Sequence, residues 1–286
     1  MSGIVWLASY PKSGNTWIRV FLTNFLRNGE APADIRELDG RPVASARALF
    51  DEAVGVAASD LTPSQVERYR PAVYEQIAAE HPERLYLKIH DAFTRTSEGV
   101  PLVTAKATAG VLYVVRNPLD VAVSFAFHKG VPPGDMVSHL NDPGFCFGSD
   151  VHRLPNQLPQ RLLTWSGHVR SWLDDSGLPV HVVRYEDLLL SPMETFSKLL
   201  AFAGLDPDLG RVQKAIAFSS FDILKAQESA HGFWERSTVA ERFFREGRIG
   251  DWRNHLTEAH AGRIAADHGP VMKRLGYLSD SGEIIF

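Results

Sequence analysis

The chain has 286 residues, 44% of them hydrophobic and 22% charged, a globular make-up long enough to bury a sizeable core. Net charge is −4 with a pI near 6.3, so no global basicity suits nucleic acid or a membrane surface, and any anion site must be built locally. The single cysteine, Cys146, excludes an internal disulfide and gives no support to a cysteine-based zinc site.

The first apolar run, "IVWLAS" at 4–9, has strand length and no alternation, as expected for a strand buried on both faces of a parallel sheet. A helix is predicted over 15–28, with Trp17, Val20, Phe21, Asn24 and Phe25 near one face. The next runs over 62–80, with a threonine cap and a proline in its first turn. Strands follow at "RLYLKI" (84–89), "GVLYVV" (110–115) and "VHVVRY" (180–185). Further helices are predicted over 157–175 and 191–204, the latter with a serine cap and a closing glycine. Strands alternating with helices predict an α/β fold, a single domain over 1–286 with a central parallel sheet flanked by helices. Segments 130–156 and 226–250 resist regular assignment and read as active-site loops. No stretch approaches the roughly 20 apolar residues of a membrane span. The N-terminus lacks a basic leader, so a cytoplasmic protein with no membrane or nucleic-acid partner is expected.

Ligands of open α/β sheets bind beyond the carboxyl ends of the strands, at helix N-termini. The first strand runs into "YPKSGNTW", and the second into Lys88, His90 and Asp91. The third runs into "RNPLDVAVSF", with Arg116 before a proline-containing helix start and Ser124 eight residues on. Convergent cations and hydroxyls suit a polyanionic ligand. The lysine of the first loop precedes its only glycine, so the G-x-x-x-x-G-K-[ST] loop of nucleotide triphosphatases is absent.

"YPKSGNTW" resembles the 5′-phosphosulfate loop of the PAPS-dependent sulfotransferases. "VVRNPLDVAVSF" resembles their 3′-phosphate motif and "REGRIGDW" their C-terminal loop, while "RYEDL" and "SSFDILK" match family segments between them. The matches run in family order from residue 4 to about 255. The resemblance implies a P-loop nucleotide-kinase-like fold and sulfuryl transfer from 3′-phosphoadenosine 5′-phosphosulfate (PAPS) to a hydroxyl. It implies Lys12 at the leaving oxygen, the loop Ser13, Gly14, Asn15 and Thr16 around the phosphosulfate, His90 as general base and Lys88 as its support. It also implies Arg116, Ser124 and Arg245 on the 3′-phosphate, with Ser124 counted among the catalytic group, and Trp17, Tyr185, Ser219 and Phe221 around the adenine. Glu246 and Gly247 complete the C-terminal loop. No metal is implied.

Departures from the pattern are Asn15 where threonine or serine is common, and Glu246 where lysine is usual. In "RNHLTEAHAG" only Thr257, with Arg253 for lysine, survives of the family's dimerisation motif, so the oligomeric state stays open. Residue by residue, Arg116 could instead cap a helix or pair with Asp120, and Asp91 could orient His90 or cap a turn. A kinase-like phosphoryl transferase and a non-catalytic nucleotide-binding module are the competing functions. Phe93, Phe125, Phe127, Phe145, Phe147, Phe233 and Trp234 in or near the variable loops hint at a phenolic or natural-product acceptor.

Overall fold

Four strands, β1 (Gly3–Ser9), β2 (Arg84–Ile89), β3 (Thr108–Val115) and β6 (Val180–Arg184), form a central parallel sheet in the order β2-β1-β3-β6. The computed structural model describes residues 3–39, 43–148 and 154–286. Every residue of β1 is buried, which explains its unbroken apolar run. β2 lies at an edge and is only half-buried over its first three residues. Its register against β1 sets Leu7 opposite Lys88 and Ala8 opposite Ile89. Two short strands, β4 (Cys146–Phe147) and β5 (Gln160–Arg161), pair antiparallel.

The helices are α1 (Asn15–Arg27), α2 (Arg47–Val54), α3 (Pro63–Glu80), α4 (Pro118–Lys129), α5 (Pro133–Leu140), α6 (Trp165–Leu173), α7 (Tyr185–Leu190), α8 (Pro192–Phe202), α9 (Leu209–Phe218), α10 (Phe221–His231) and α11 (Glu258–Arg274). The threonine cap expected from the sequence is present, and Thr62 and Gln65 cap α3 reciprocally as a capping box. Asn117 caps α4 by accepting from the Leu119 N–H, and Pro118 supplies a preset φ for its first turn. The Ser191 side chain makes no cap to α8; its carbonyl instead accepts from Thr195 Oγ1 at 2.8 Å.

The predicted helix 157–175 is shortened to α6. Pro159 lacks an N–H, and Leu163 sits at φ 59°, which breaks the backbone before Thr164 caps α6 through the Gly167 N–H. Within 130–156 the prolines start a helix, with Pro132 at the cap and Pro133 in the first turn of α5, while 149–153 lie outside the described residues. Segment 226–250 opens inside α10, and 232–250 is irregular up to the 3-10 turn Asp251–Asn254.

The chain falls into two compact units, Met1–Tyr10, Gly40–Tyr113 and Pro143–Val182 in one, Pro11–Asp39, Val114–Asp142 and Val183–Phe286 in the other. In the first, Trp6 packs edge-on to Tyr74 at 5.2 Å and donates to Thr108 Oγ1 at 2.9 Å. In the second, α1 packs on α9, and Phe21 stacks on Phe196 with ring centres 3.8 Å apart. No described helix is long and apolar enough to cross a membrane.

Candidate active site

The second unit holds the loop that β1 feeds. Lys12 adopts φ 69° and Gly14 φ 106°, so the chain turns through left-handed backbone twice before α1 begins. For Lys12 that conformation costs about 1–2 kcal/mol, which marks the position as strained. A Cβ on Gly14 would lie 2.7 Å from Tyr185 Cδ2, so only glycine fits under that ring. Trp17 meets the same Tyr185 edge-on at 5.8 Å. No side chain caps α1, and its first turn carries no acid, so no local carboxylate offsets the positive end of the helix. Ser13, Asn15 and Thr16 are all buried at this end. Ser13 Oγ and Trp17 Nε1 are buried without a hydrogen-bond partner among the described residues. Lys12 Nζ stands 3.7 Å over the Phe243 ring, a cation–π contact.

Arg116, at the end of β3, lies 4.3 Å over the Tyr185 ring and donates to the Arg248 carbonyl at 3.0 Å. Its Nη2 is 3.6 Å from Asp120, the alternative partner offered by the sequence, and its Nε is buried with no partner among the described residues. Burial raises the Tyr185 hydroxyl above its ordinary pKa, with Arg116 opposing. Ser124 is half-buried one turn after Asp120 on the same face of α4. Asp120 is committed to backbone, accepting from the N–H groups of Gly250 and Trp252 at 2.9 and 3.0 Å.

Arg245 ion-pairs with Asp251 and lies 4.4 Å over Phe127. Burial works to raise the Asp251 carboxyl, but hydrogen bonds from Arg245, Arg248 and Asn254 outweigh it and leave its pKa at about 2. Glu246 bridges outward, 3.7 Å from Arg245 and 3.6 Å from Arg248. Gly247 has φ 63°, and a Cβ there would lie 2.3 Å from Phe221 Cδ2, so this glycine passes directly against the ring at the start of α10. The Ser219 hydroxyl donates to the Ala215 carbonyl at 2.7 Å and so closes its own helix.

The first unit holds the end of β2. His90 Nδ1 lies 2.8 Å from the Ser9 carbonyl and 3.2 Å from Ser9 Oγ. A carbonyl can only accept, so Nδ1 carries the proton and the neutral ring has its lone pair on Nε2. The His90 carbonyl is held in turn by His168 Nε2 at 3.0 Å, and His168 Nδ1 accepts from the Tyr113 hydroxyl at 2.7 Å. Burial lowers the His168 pKa to about 4, so it works as a neutral tether. Asp91 neither orients the His90 ring nor caps a turn: its carboxylate pairs with both Nη atoms of buried Arg70, at 2.9 and 2.8 Å, and its carbonyl takes Trp172 Nε1. Lys88 is buried near the end of β2, two residues before His90.

Sequence reasoning missed Phe243, His168 and Glu235, which nothing local marks; it offered Asp120 only as an alternative partner of Arg116, by their spacing of four. Of the aromatic residues read as acceptor candidates, Phe93, Phe125, Phe145 and Phe233 are core, whereas Phe127 and Trp234 are exposed. The Thr257 segment caps α11 through a reciprocal bond with His260. Among the described residues no group of three or more His, Cys, Asp or Glu is placed to hold a metal ion.

The chain is 25% identical to human sulfotransferase 2B1 over 269 residues, covering 90% of this chain and 62% of that protein. It is 26% identical to guinea pig (Cavia porcellus) sulfotransferase 1E1 over 261 residues, covering 88% of this chain and 77% of that one. Mouse sulfotransferase SULT7A1, solved in complex with PAP, superposes with a TM-score of 0.57 at 22% identity over 97% of this chain and 86% of its own. Retinol dehydratase, solved with androsterone and PAP, gives 0.60 at 19% identity over 94% and 80%. At these identities the two structures bear on the fold. The family model described as the sulfotransferase domain matches residues 3–276, from the first strand through both nucleotide-type motifs to the end of α11, and by that match the chain belongs to the sulfotransferase family.

Proposed function

We propose that this sulfotransferase moves a sulfuryl group from PAPS to the hydroxyl of a small apolar acceptor, with Lys12 and His90 as the catalytic pair. The observation that carries the donor assignment is the set of buried polar atoms without partners among the described residues: Ser13 Oγ, Trp17 Nε1 and Arg116 Nε. Buried donors are normally satisfied, and three in one unit beside two glycine cradles suit a ligand rich in anionic oxygens. Ser13 and the uncapped start of α1 bind the 5′ end, Arg116, Ser124 and Arg245 the 3′-phosphate, and Trp17, Tyr185 and Phe221 enclose the base.

When bound, PAPS supplies a sulfuryl group on a bisphosphate leaving group. Its transfer is a loose in-line displacement in which negative charge grows on the bridging oxygen. Lys12 meets that charge with its ammonium, and the strained loop fixes it there before reaction. His90 Nε2 takes the acceptor proton as the new S–O bond forms, while Nδ1–H stays bonded to the Ser9 carbonyl. Lys88 supports the site by its charge, Asn15 and Thr16 line the first turn of α1, and Gly247 brings backbone against Phe221. Ser219 acts through the shape of its helix end, since its hydroxyl is used internally.

An apolar alcohol or phenol is the acceptor class we favour, by analogy with the retinol and androsterone bound in related structures and the exposed Phe127 and Trp234. The chain is read as one sulfotransferase domain acting in the cytoplasm. The test is transfer of labelled sulfate from PAPS to a panel of phenols, apolar alcohols and sugars. Label is expected on a phenol or an apolar alcohol. Transfer to sugars alone would overturn the acceptor class, and absence of both transfer and PAP binding would overturn the function.

A further inference from the structure

The start of α1 has no local cap and no acid in its first turn, yet a carboxylate reaches it from more than 200 residues along the chain. Glu235, in the irregular segment after α10, accepts from Thr16 Oγ1 at 3.1 Å and ion-pairs with Arg19. Both side chains of that pair are buried, Arg19 at 0% and Glu235 at 7% exposure. Arg19 lies one turn beyond Thr16, and helical side chains lean toward the N-terminus, so its guanidinium is carried back toward the first turn. Its Nε and Nη2 have no partner among the described residues. A guanidinium placed only to close an ion pair would be bonded through more of its fork; this one keeps two buried donors in reserve.

Thr16 belongs to the loop assigned above to the donor. Its hydroxyl cannot donate to Glu235 and to a donor oxygen together. We propose that Glu235 is an internal anion standing in for the donor: without nucleotide it holds Thr16 and Arg19, and donor binding displaces it, passing both to the phosphosulfate end. Arg19 is thereby a further donor-binding residue. The displacement is local, because both ends of the segment are fixed. Phe233 is buried in an apolar cluster with Phe244, and Glu228 accepts from the Phe243 and Phe244 N–H groups at 2.6 and 2.9 Å. Only the stretch between them, which carries Glu235, has to move. An internal competitor lowers the apparent affinity by the fraction of time it holds the site.

The inference rests on the donor reading, and the experiment separates the two. Calorimetry with adenosine 3′,5′-bisphosphate compares the full-length wild type with Glu235→Gln, and hydrogen exchange follows residues 234–236 in the wild type. Glu235→Gln is expected to bind the bisphosphate about three- to tenfold more tightly. Saturating bisphosphate is expected to speed exchange at 234–236. Equal or weaker binding by a folded Glu235→Gln, or unchanged or stronger protection at 234–236 in the wild type, overturns the inference and leaves the donor reading standing. The exchange arm decides the matter even if the variant fails to fold. A wild type that binds no bisphosphate removes the donor reading, and this inference with it.

Discussion

The loop before α1 and the end of β2 treat buried polar groups in opposite ways. Around the loop, Ser13 Oγ and Trp17 Nε1 have no partner among the described residues, and Arg116 at the end of β3 leaves its Nε in the same state. At the end of β2 the polar groups answer one another: His90 to Ser9, its carbonyl to His168, His168 to Tyr113, and Asp91 to Arg70 and Trp172. Unmade bonds in a buried site cost stability, so keeping them favours recognition of something that supplies the partners. A closed network recognises little, but it fixes one side chain in one tautomer. On the proposed reading, one region binds the donor and the other holds the base still.

The largest effect expected from breaking this contrast lies in the closed network. His90→Gln removes the basic lone pair while keeping a polar side chain, and should lower kcat by about 10²–10⁴. The affinity for adenosine 3′,5′-bisphosphate should stay within about twofold, since the bases for binding lie elsewhere. Equal losses in rate and affinity would move His90 from the base to the binding site.

Next in size is the tether. His168 is held at about pKa 4 when folded against an ordinary 6.5, with burial as the cause. The unfolded chain therefore binds an extra proton between these values, and stability is full above pH 6.5 and lost as pH falls toward 4. The loss amounts to about 3 kcal/mol. His268, also lowered to about 4 by burial, contributes in the same direction. Urea unfolding at pH 7 and pH 4.5 should show a shallower pH dependence for His168→Gln than for the wild type. An identical dependence would mean that His168 is not the buried neutral group described.

In the binding region, Gly247→Ala forces a Cβ against Phe221 and a side chain onto φ 63°. A left-handed alanine costs about 1–2 kcal/mol, so bisphosphate affinity should fall about tenfold if the loop shifts to relieve it. Smallest is Glu246→Lys. The carboxylate is partly exposed and more than 3.5 Å from either arginine, so the change should tighten bisphosphate binding by less than about 1 kcal/mol. A larger gain would place position 246 inside the phosphate field.

The sequence made the binding region far more legible than the positioning network. β1, the loop after it, α1 and the helix start after Arg116 are local patterns, in which an apolar run, a glycine and a cap announce themselves within about ten residues. Long-range pairs leave no such mark. His168 meets His90 across 78 positions, and Glu235 meets Thr16 across 219, so neither could be found by spacing. The helix expected over 157–175 failed for a local reason that the sequence did carry, Pro159, and for one that it hid, the left-handed Leu163. Asp91 beside His90 read as a possible orienter, and only the buried Arg70 explains why it serves another partner.

The central claim is that Lys12 acts on the charge that appears as the bridging bond breaks. It is tested most directly by single-turnover sulfuryl transfer from PAPS with Lys12→Ala, beside calorimetry of adenosine 3′,5′-bisphosphate on the same variant. The account predicts a rate lower by about 10²–10³ with bisphosphate affinity reduced far less. A Lys12→Ala enzyme that transfers sulfate at close to the wild-type rate would contradict it.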